Sequence, residues 1–347
     1  VDNTQISAAV WRPAEQWQAD DTAVELRLKV MRRHPRNAMI GIAVSLVLAL
    51  VVSAFRPHVS ALSVVFVLNA VRLVVVGVRH QVRFGRWLTA AKDLLVGNPS
   101  QRVAARIVTH KGDRTVLAVG PMHLRVLPVS WGMRQVIART GEITMVGPDA
   151  EGNAVVFVDS QPRPLTAKVV EAPAPTEPEP IARTSANGAE DEVPQWYARR
   201  HARIQLIPFV GLFLVYGALI YDAQQRTFLP GFAGFYVFLL VVSTIFGITR
   251  VFGQMRLSTL LAAGQWQAHP VTVEAWKGDE RRPFADLTLV MGPPGGQHRI
   301  LVKHASVELV ANISATGTLW MIGLPKDRKA AAVGVPGHPV VAAARFA

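Results

Sequence analysis

One arginine stands inside an apolar run. Arg72 lies in the stretch Val59 to Val78, with Asn69 three residues before it. On a helix that spacing brings both polar groups to one face. A guanidinium at that depth in a bilayer is costly unless it is paired or reaches the surface. Two chemistries follow. Either the Arg72 stem carries its charge to the headgroups, or Asn69 and Arg72 form an intramembrane polar site, as a contact between helices or an anion-binding spot.

Other constellations capable of chemistry are thin. The ten histidines are scattered, with no H-E-x-x-H and no pair at a metal-binding helical spacing. Cysteine is absent, which excludes disulfides, thiolate nucleophiles and Cys-ligated zinc or iron–sulfur centres. The segment MGPPGGQ, Met291 to Gln297, lacks the Lys-Ser/Thr of a phosphate loop and precedes a strand, so it reads as a hairpin turn. Lys-Gly-Asp occurs at Lys111 to Asp113 and again at Lys277 to Asp279, where a tight turn with Gly-Asp at its tip explains it. No nucleophile-elbow or paired-carboxylate signature appears. The expectation is a non-enzymatic protein with no catalytic residue, no metal and no cofactor.

The elements that would position Asn69 and Arg72 belong to a membrane protein. Half of the 347 residues are hydrophobic. Ala38 to Phe55 carries no charge, and Val59 to Val78 follows after the short Arg56-Pro57-His58 break. Ile204 to Tyr221 and Phe232 to Ile248 form a second pair. Each approaches the length that crosses a bilayer core as a helix, and none shows the polar stripe of a soluble one. Four transmembrane helices in two hairpins are predicted.

Basic residues set the orientation. Arg27, Lys29, Arg32, Arg33 and Arg36 precede the first span, and Arg79, Arg83, Arg86 and Lys92 follow the second. Arg199, Arg200 and Arg203 precede the third, and Arg250 and Arg256 follow the fourth. The hairpin loops hold just Arg56 and Arg226. Both termini are therefore expected in the cytoplasm of a bacterial cell, the Arg-rich, Lys-poor composition matching a high-GC genome. Topology signals and attraction to anionic lipid headgroups account for the net charge of +13 without nucleic acid.

The chain also repeats itself. TGEITMVG, Thr140 to Gly147, returns as TGTLWMIG, Thr316 to Gly323. Upstream, IVTHKGDR at Ile107 matches VEAWKGDE at Val273, and VGPMHLRVL at Val119 matches MGPPGGQHRIL at Met291 once a gap is allowed. A weaker pairing sets Pro164 to Val169 against Val340 to Arg345, and about ten extra residues of the second copy fall around Arg281 to Val290. Each copy reads as short strands with a crossing helix, Ser130 to Arg139 in the first, which together suggest a small, partly open β-barrel. In the repeated motif Ile143, Met145, Leu319 and Met321 are expected on one face of a core strand, with Val146 and Ile322 on the other.

The predicted organisation is an amphipathic N-terminal segment (1–37), a transmembrane hairpin (38–78), a cytoplasmic β domain (79–170), an acidic Pro-rich linker (171–195), a second hairpin (196–251) and a second β domain (252–347). Glu171 to Gln195, rich in Pro, Ala and Glu, is expected to be an extended, mobile tether. The function this suggests is a multi-pass membrane scaffold or complex subunit presenting two β domains to a protein partner or to copies of itself. The alternative is a channel or transporter component with Arg72 at its conduction or anion site.

Overall fold

The computed structural model describes residues 8–13, 22–54, 61–203, 256–279, 283–292, 298–323 and 330–346, with seven isolated helical residues between 211 and 245. It divides into two compact units. One comprises Val1–Met31, Arg86–Arg199 and Leu257–Ala347, the other Arg32–Gly85 and Arg200–Arg256.

The second unit contains the apolar parts of two long helices, α1 (Thr22–Ala54) and α2 (Ala61–Gly97). Both are long and apolar enough to cross a membrane, over Ala23–Val51 and Ser63–Gly97. Their side chains are largely uncovered: Leu50 is 70% exposed and Leu68 62%. The predicted third and fourth spans lie outside the described residues apart from the isolated positions, so the described residues support two spans, not four. The helices also overrun the predicted spans. α2 continues past the predicted span end at Val78 as far as Gly97, because Arg, His and Gln sustain a helix and Gly85 alone costs only about 1 kcal/mol.

The first unit holds both β domains. In the first, β1 (Gln101–Ala104), β2 (Arg106–Lys111), β3 (Arg114–Val119), β4 (Met122–Leu127), α3 (Trp131–Thr140), β5 (Glu142–Val146), β6 (Asn153–Val158) and β7 (Gln161–Val170) form a sheet in the order β1-β5-β6-β7-β4-β3-β2. In the second, β8 (Trp266–Trp276), β9 (Phe284–Met291), β10 (His298–Ser306), α4 (Val307–Thr316), β11 (Thr318–Ile322), β12 (Ala331–Gly334) and β13 (Val341–Phe346) close a six-stranded barrel.

The two orders are the same, but the first is an open half-barrel with β1 and β2 at its ends where the second is closed. β8 pairs with β11 through its first half and with β9 through its second. In the first copy that strand is broken at Ala105, so β1 takes the β5 pairing and β2 the β3 pairing. At the break the Ala105 N–H donates to the Gly141 carbonyl at 2.8 Å, as the Val271 N–H does to Gly317 at 2.9 Å. Even the bulge recurs, between Ile107 and Thr109 and between Val273 and Ala275.

Register relocates the extra residues of the second copy. The offset between copies is 166 at Ile107/Val273, 172 at Leu117/Leu289 and 176 at Leu124/Ile300. Six residues therefore enter the turn before β9 and four the turn after it, so the expected single insertion around Arg281 to Val290 is divided. The last strands match one residue out of the expected register, Leu165 with Ala342.

The repeated motif is a helix end running into a strand. Gly141 (φ 66°) and Gly317 (φ 63°) are left-handed C-caps whose N–H groups return to Ile137 and Ile313. Ser130 and Ser306 cap the same helices at their starts. Ile143, Met145, Leu319 and Met321 point into the barrel cores, as expected. Val146 and Ile322 are buried too, because helical segments cover the outer face. Ile322 packs with Leu257, Leu261 and Trp266, and Leu94 of α2 lies close to Gly147 at the end of β5. Each fully buried Leu or Ile contributes about 1.5–3 kcal/mol.

Candidate functional site

The residues expected to form an intramembrane site come together only in part. Asn69 Nδ2 donates to Ser45 Oγ of α1 at 3.0 Å. Ser53 Oγ and Ser63 Oγ add a second tie at 3.2 Å. Such ties are worth about 0.6 kcal/mol each in an apolar medium. Arg72 is exposed, and its Nη1 stands 3.5 Å from Asn69 Oδ1, too long to be a strong bond. Asn69 therefore clamps the hairpin through Ser45, a partner the sequence reading missed because a lone Ser in an apolar helix carries no signal.

Among the described residues, polar groups converge where the two barrels meet. The turn between β6 and β7 has Ser160 at its tip, with φ 70°, and the register match is Gly337, between β12 and β13, with φ 71°. Each tip enters a slot made by the other barrel's helix and a crossing arm. The Ser160 N–H donates to the Trp11 carbonyl at 3.0 Å, and its carbonyl accepts from Asn312 of α4 at 2.9 Å. The Gly337 N–H donates to Asp191 Oδ2 at 2.8 Å, and its carbonyl accepts from Arg139 of α3 at 3.0 Å. One insertion mirrors the other.

Charge gathers at the Gly337 side. Asp191 is fully buried, and Oδ2 also accepts from Trp266 Nε1 at 3.1 Å, whereas Oδ1 has no partner. Burial raises its pKa from 3.8 to about 6, against the opposing pull of the Gly337 and Trp266 hydrogen bonds and Arg139. Arg139 is anchored by the Thr184 hydroxyl at 2.5 Å and approaches His338 Nε2 at 3.4 Å. Burial first, and the Arg139 charge second, lower the His338 pKa from 6.5 to about 3. Across the interface Asp159 pairs with Arg12 at 3.0 Å. Asp191 and His338 are buried, Arg139 is partly buried and Arg12 is half exposed, and the hydrogen bonds of this group tie the two barrels together.

The arms repeat as well. The Trp11 N–H donates to Asn312 Oδ1 of α4 at 2.9 Å, and the Ala182 N–H donates to Gln135 Oε1 of α3 at 2.7 Å. Helices follow in both cases: Arg27 of α1 pairs with Glu308 at the start of α4, and Trp196, in helical residues 192–203, packs on Trp131 at the start of α3. A sequence signal existed for this. EQWQA at Glu15 returns as PQWYA at Pro194, and RRHPR at Arg32 returns as RRHAR at Arg199. The expected mobile tether is thus corrected in part, since residues from Thr176 to Gln195 are the second copy's arm and are held by specific partners.

Among the described residues no three His, Asp or Glu side chains converge as a metal-ligand set. Comparison of the chain with protein-family models, curated proteins and solved structures finds no match.

Proposed function

We propose that the protein is a membrane-anchored scaffold subunit that offers its paired barrels as one composite surface. The observation that carries this reading is the reciprocal insertion of Ser160 and Gly337, which makes one body of two modules expected to move independently. A tethered pair would gain from multivalency; a locked pair gains instead from a fixed spacing. The uncovered apolar side chains along α1 and α2, Met39, Leu50 and Leu68 among them, support the anchor. Basic residues flanking the hairpin favour a cytoplasmic barrel pair facing anionic headgroups. For the transport alternative, the contact recorded among the described residues is the 3.5 Å approach of Arg72 to Asn69, which by itself does not build an anion site.

Two measurements test the proposal. The chain is expected to stay with bacterial membranes through an alkaline carbonate wash, and its release would remove the anchor. After mild-detergent purification it is expected to run as a homo-oligomer or with a stoichiometric partner. A partner-free monomer would contradict the scaffold role.

A further inference from the structure

Residues 176–182 lie in a groove between α3 and the terminal strand β2 of the first barrel, and a cavity of about 290 Å³ remains beside them, with residues 176–179 and 181 along one wall. The contacts holding that wall are of the kind that recognise an extended peptide. The Thr176 N–H donates to the Val108 carbonyl of β2 at 3.0 Å, a bond of the strand-addition type. Gln135 spans two main-chain groups, accepting from the Ala182 N–H at 2.7 Å and donating to the Pro180 carbonyl at 3.3 Å. Arg134 grips the Glu179 carboxylate through Nε and Nη2, both at 3.0 Å, and His110 Nε2 reaches it at 3.1 Å. A third Arg134 nitrogen donates to the Gly112 carbonyl at 3.2 Å, which fixes the fork. Pro178 and Pro180 restrict the segment toward extended backbone before it is bound.

Among the described residues the second barrel lacks this clamp. At the offsets of 166 and 176 fixed by register, His110, Arg134 and Gln135 correspond to Trp276, Val310 and Ala311. An arm can therefore be seated on a barrel helix without a basic clamp, since Trp11 is held on α4 by Asn312. The Arg134–His110 pair adds selectivity for an acidic side chain flanked by main-chain contacts that accept any sequence.

We infer that the α3–β2 groove is a recognition site for an acidic, proline-containing peptide in extended conformation, occupied in cis by residues 176–182 and able to take the same chemistry from a protein partner. The inference deepens the scaffold reading by naming the partner's chemistry, and it rests on that reading for the existence of a partner. The cis segment, tethered at both ends, competes at high effective concentration, so a free peptide binds strongly once the cis contacts are weakened.

The test uses the full chain in detergent and a fluorescein-labelled peptide of residues 171–183, followed by anisotropy. Two variants release the groove: Glu179→Ala, and replacement of residues 176–181 by Gly-Ser repeats. At least one is expected to bind the peptide saturably and at least 10-fold more tightly than the unaltered chain. Adding Arg134→Met, or using a peptide with Glu179→Ala, is expected to weaken that binding at least 10-fold. No saturable binding to either variant, or binding indifferent to Arg134, overturns the inference. Neither result alters membrane retention or oligomeric state, so the two proposals fail separately.

Discussion

Gly337→Val is expected to destabilise the chain by about 3 kcal/mol or more and to loosen the two barrels from each other. Three effects act together. The backbone there has φ 71°, a region in which a β-branched residue is strained by about 1–2 kcal/mol. A Cβ would lie 2.5 Å from Arg139 Nη1 and 2.9 Å from Thr184 Cγ2. Arg139 has little room to yield, being bonded to Thr184 on one side and to the Gly337 carbonyl on the other. Displacing the tip then strips a hydrogen bond from the buried Asp191 and from the partly buried Arg139, and an uncompensated buried charge is the costliest outcome. The matching tip supplies the control. Ser160 already holds a side chain at φ 70°, so Ser160→Gly is expected to change stability by less than about 1 kcal/mol. Denaturant unfolding of both variants in detergent measures the difference, and equal effects would refute the special role of the Gly337 slot.

Single substitutions at the junction are expected to reveal opposite pH dependences that the unaltered chain conceals. His338 has a folded pKa of about 3 against 6.5 unfolded. Its stabilising contribution is complete above pH 6.5 and is lost as pH falls toward 3, because the unfolded chain takes up the proton first. Asp191 behaves in the opposite sense, with a folded pKa of about 6 against 3.8 unfolded. Its native form holds a proton that the unfolded form has released, so stability rises as pH falls from 6 to 3.8. Integrated between pH 6 and 4, each change amounts to about 2–2.5 kcal/mol. The two nearly cancel in that window. His338→Gln, which installs the residue found at the matching Gln161, is expected to make the chain more stable at pH 4 than at pH 6. Asp191→Asn is expected to make it less stable at pH 4. Unfolding midpoints measured across this range check both signs, and parallel curves for the two variants would contradict the assignment.

Much of the architecture was legible because duplication repeats local signals. Thr-Gly before alternating apolar residues marked β5 and β11, and Lys-Gly-Asp marked the tight turn at Gly112, whereas its second copy, Lys277 to Asp279, opens a longer connection to β9 and is not a tight turn. The matching left-handed caps at Gly141 and Gly317 were hidden, since Gly before a strand is also what a plain turn requires. β7 carries a weak strand signal because Pro162 and Pro164 demote the segment, although both sit near its start, before the uninterrupted pairing with β4. Burial on both faces of β5 and β11 could not be read from alternation, which assumes a solvated outer face.

The junction was the least legible part. Pro, Ala and Glu between Glu171 and Gln195 describe a chain unable to build its own core. They say nothing of partners such as Gln135, Arg139 and Trp266, which lie tens of residues away and come close only through the fold. What could have exposed the segment was its register with the N-terminus, RRHAR against RRHPR, which identifies it as an arm and not a spacer. Asn69 and Arg72 drew notice because polar residues stand out in an apolar run, yet the residue that gives Asn69 its role is Ser45.

The central claim is that the two barrels are one body, and the absence of cysteine makes it directly measurable. Lys168→Cys in the first barrel and Lys303→Cys in the second, both exposed positions, accept spin labels for a pulsed electron–electron distance measurement on the full chain. A locked junction predicts one narrow distance distribution that broadens when Gly337→Val is added. A broad distribution in the otherwise unaltered chain, of the spread expected when a 25-residue flexible segment with an end-to-end distance of roughly 25–30 Å joins independent domains, would contradict it.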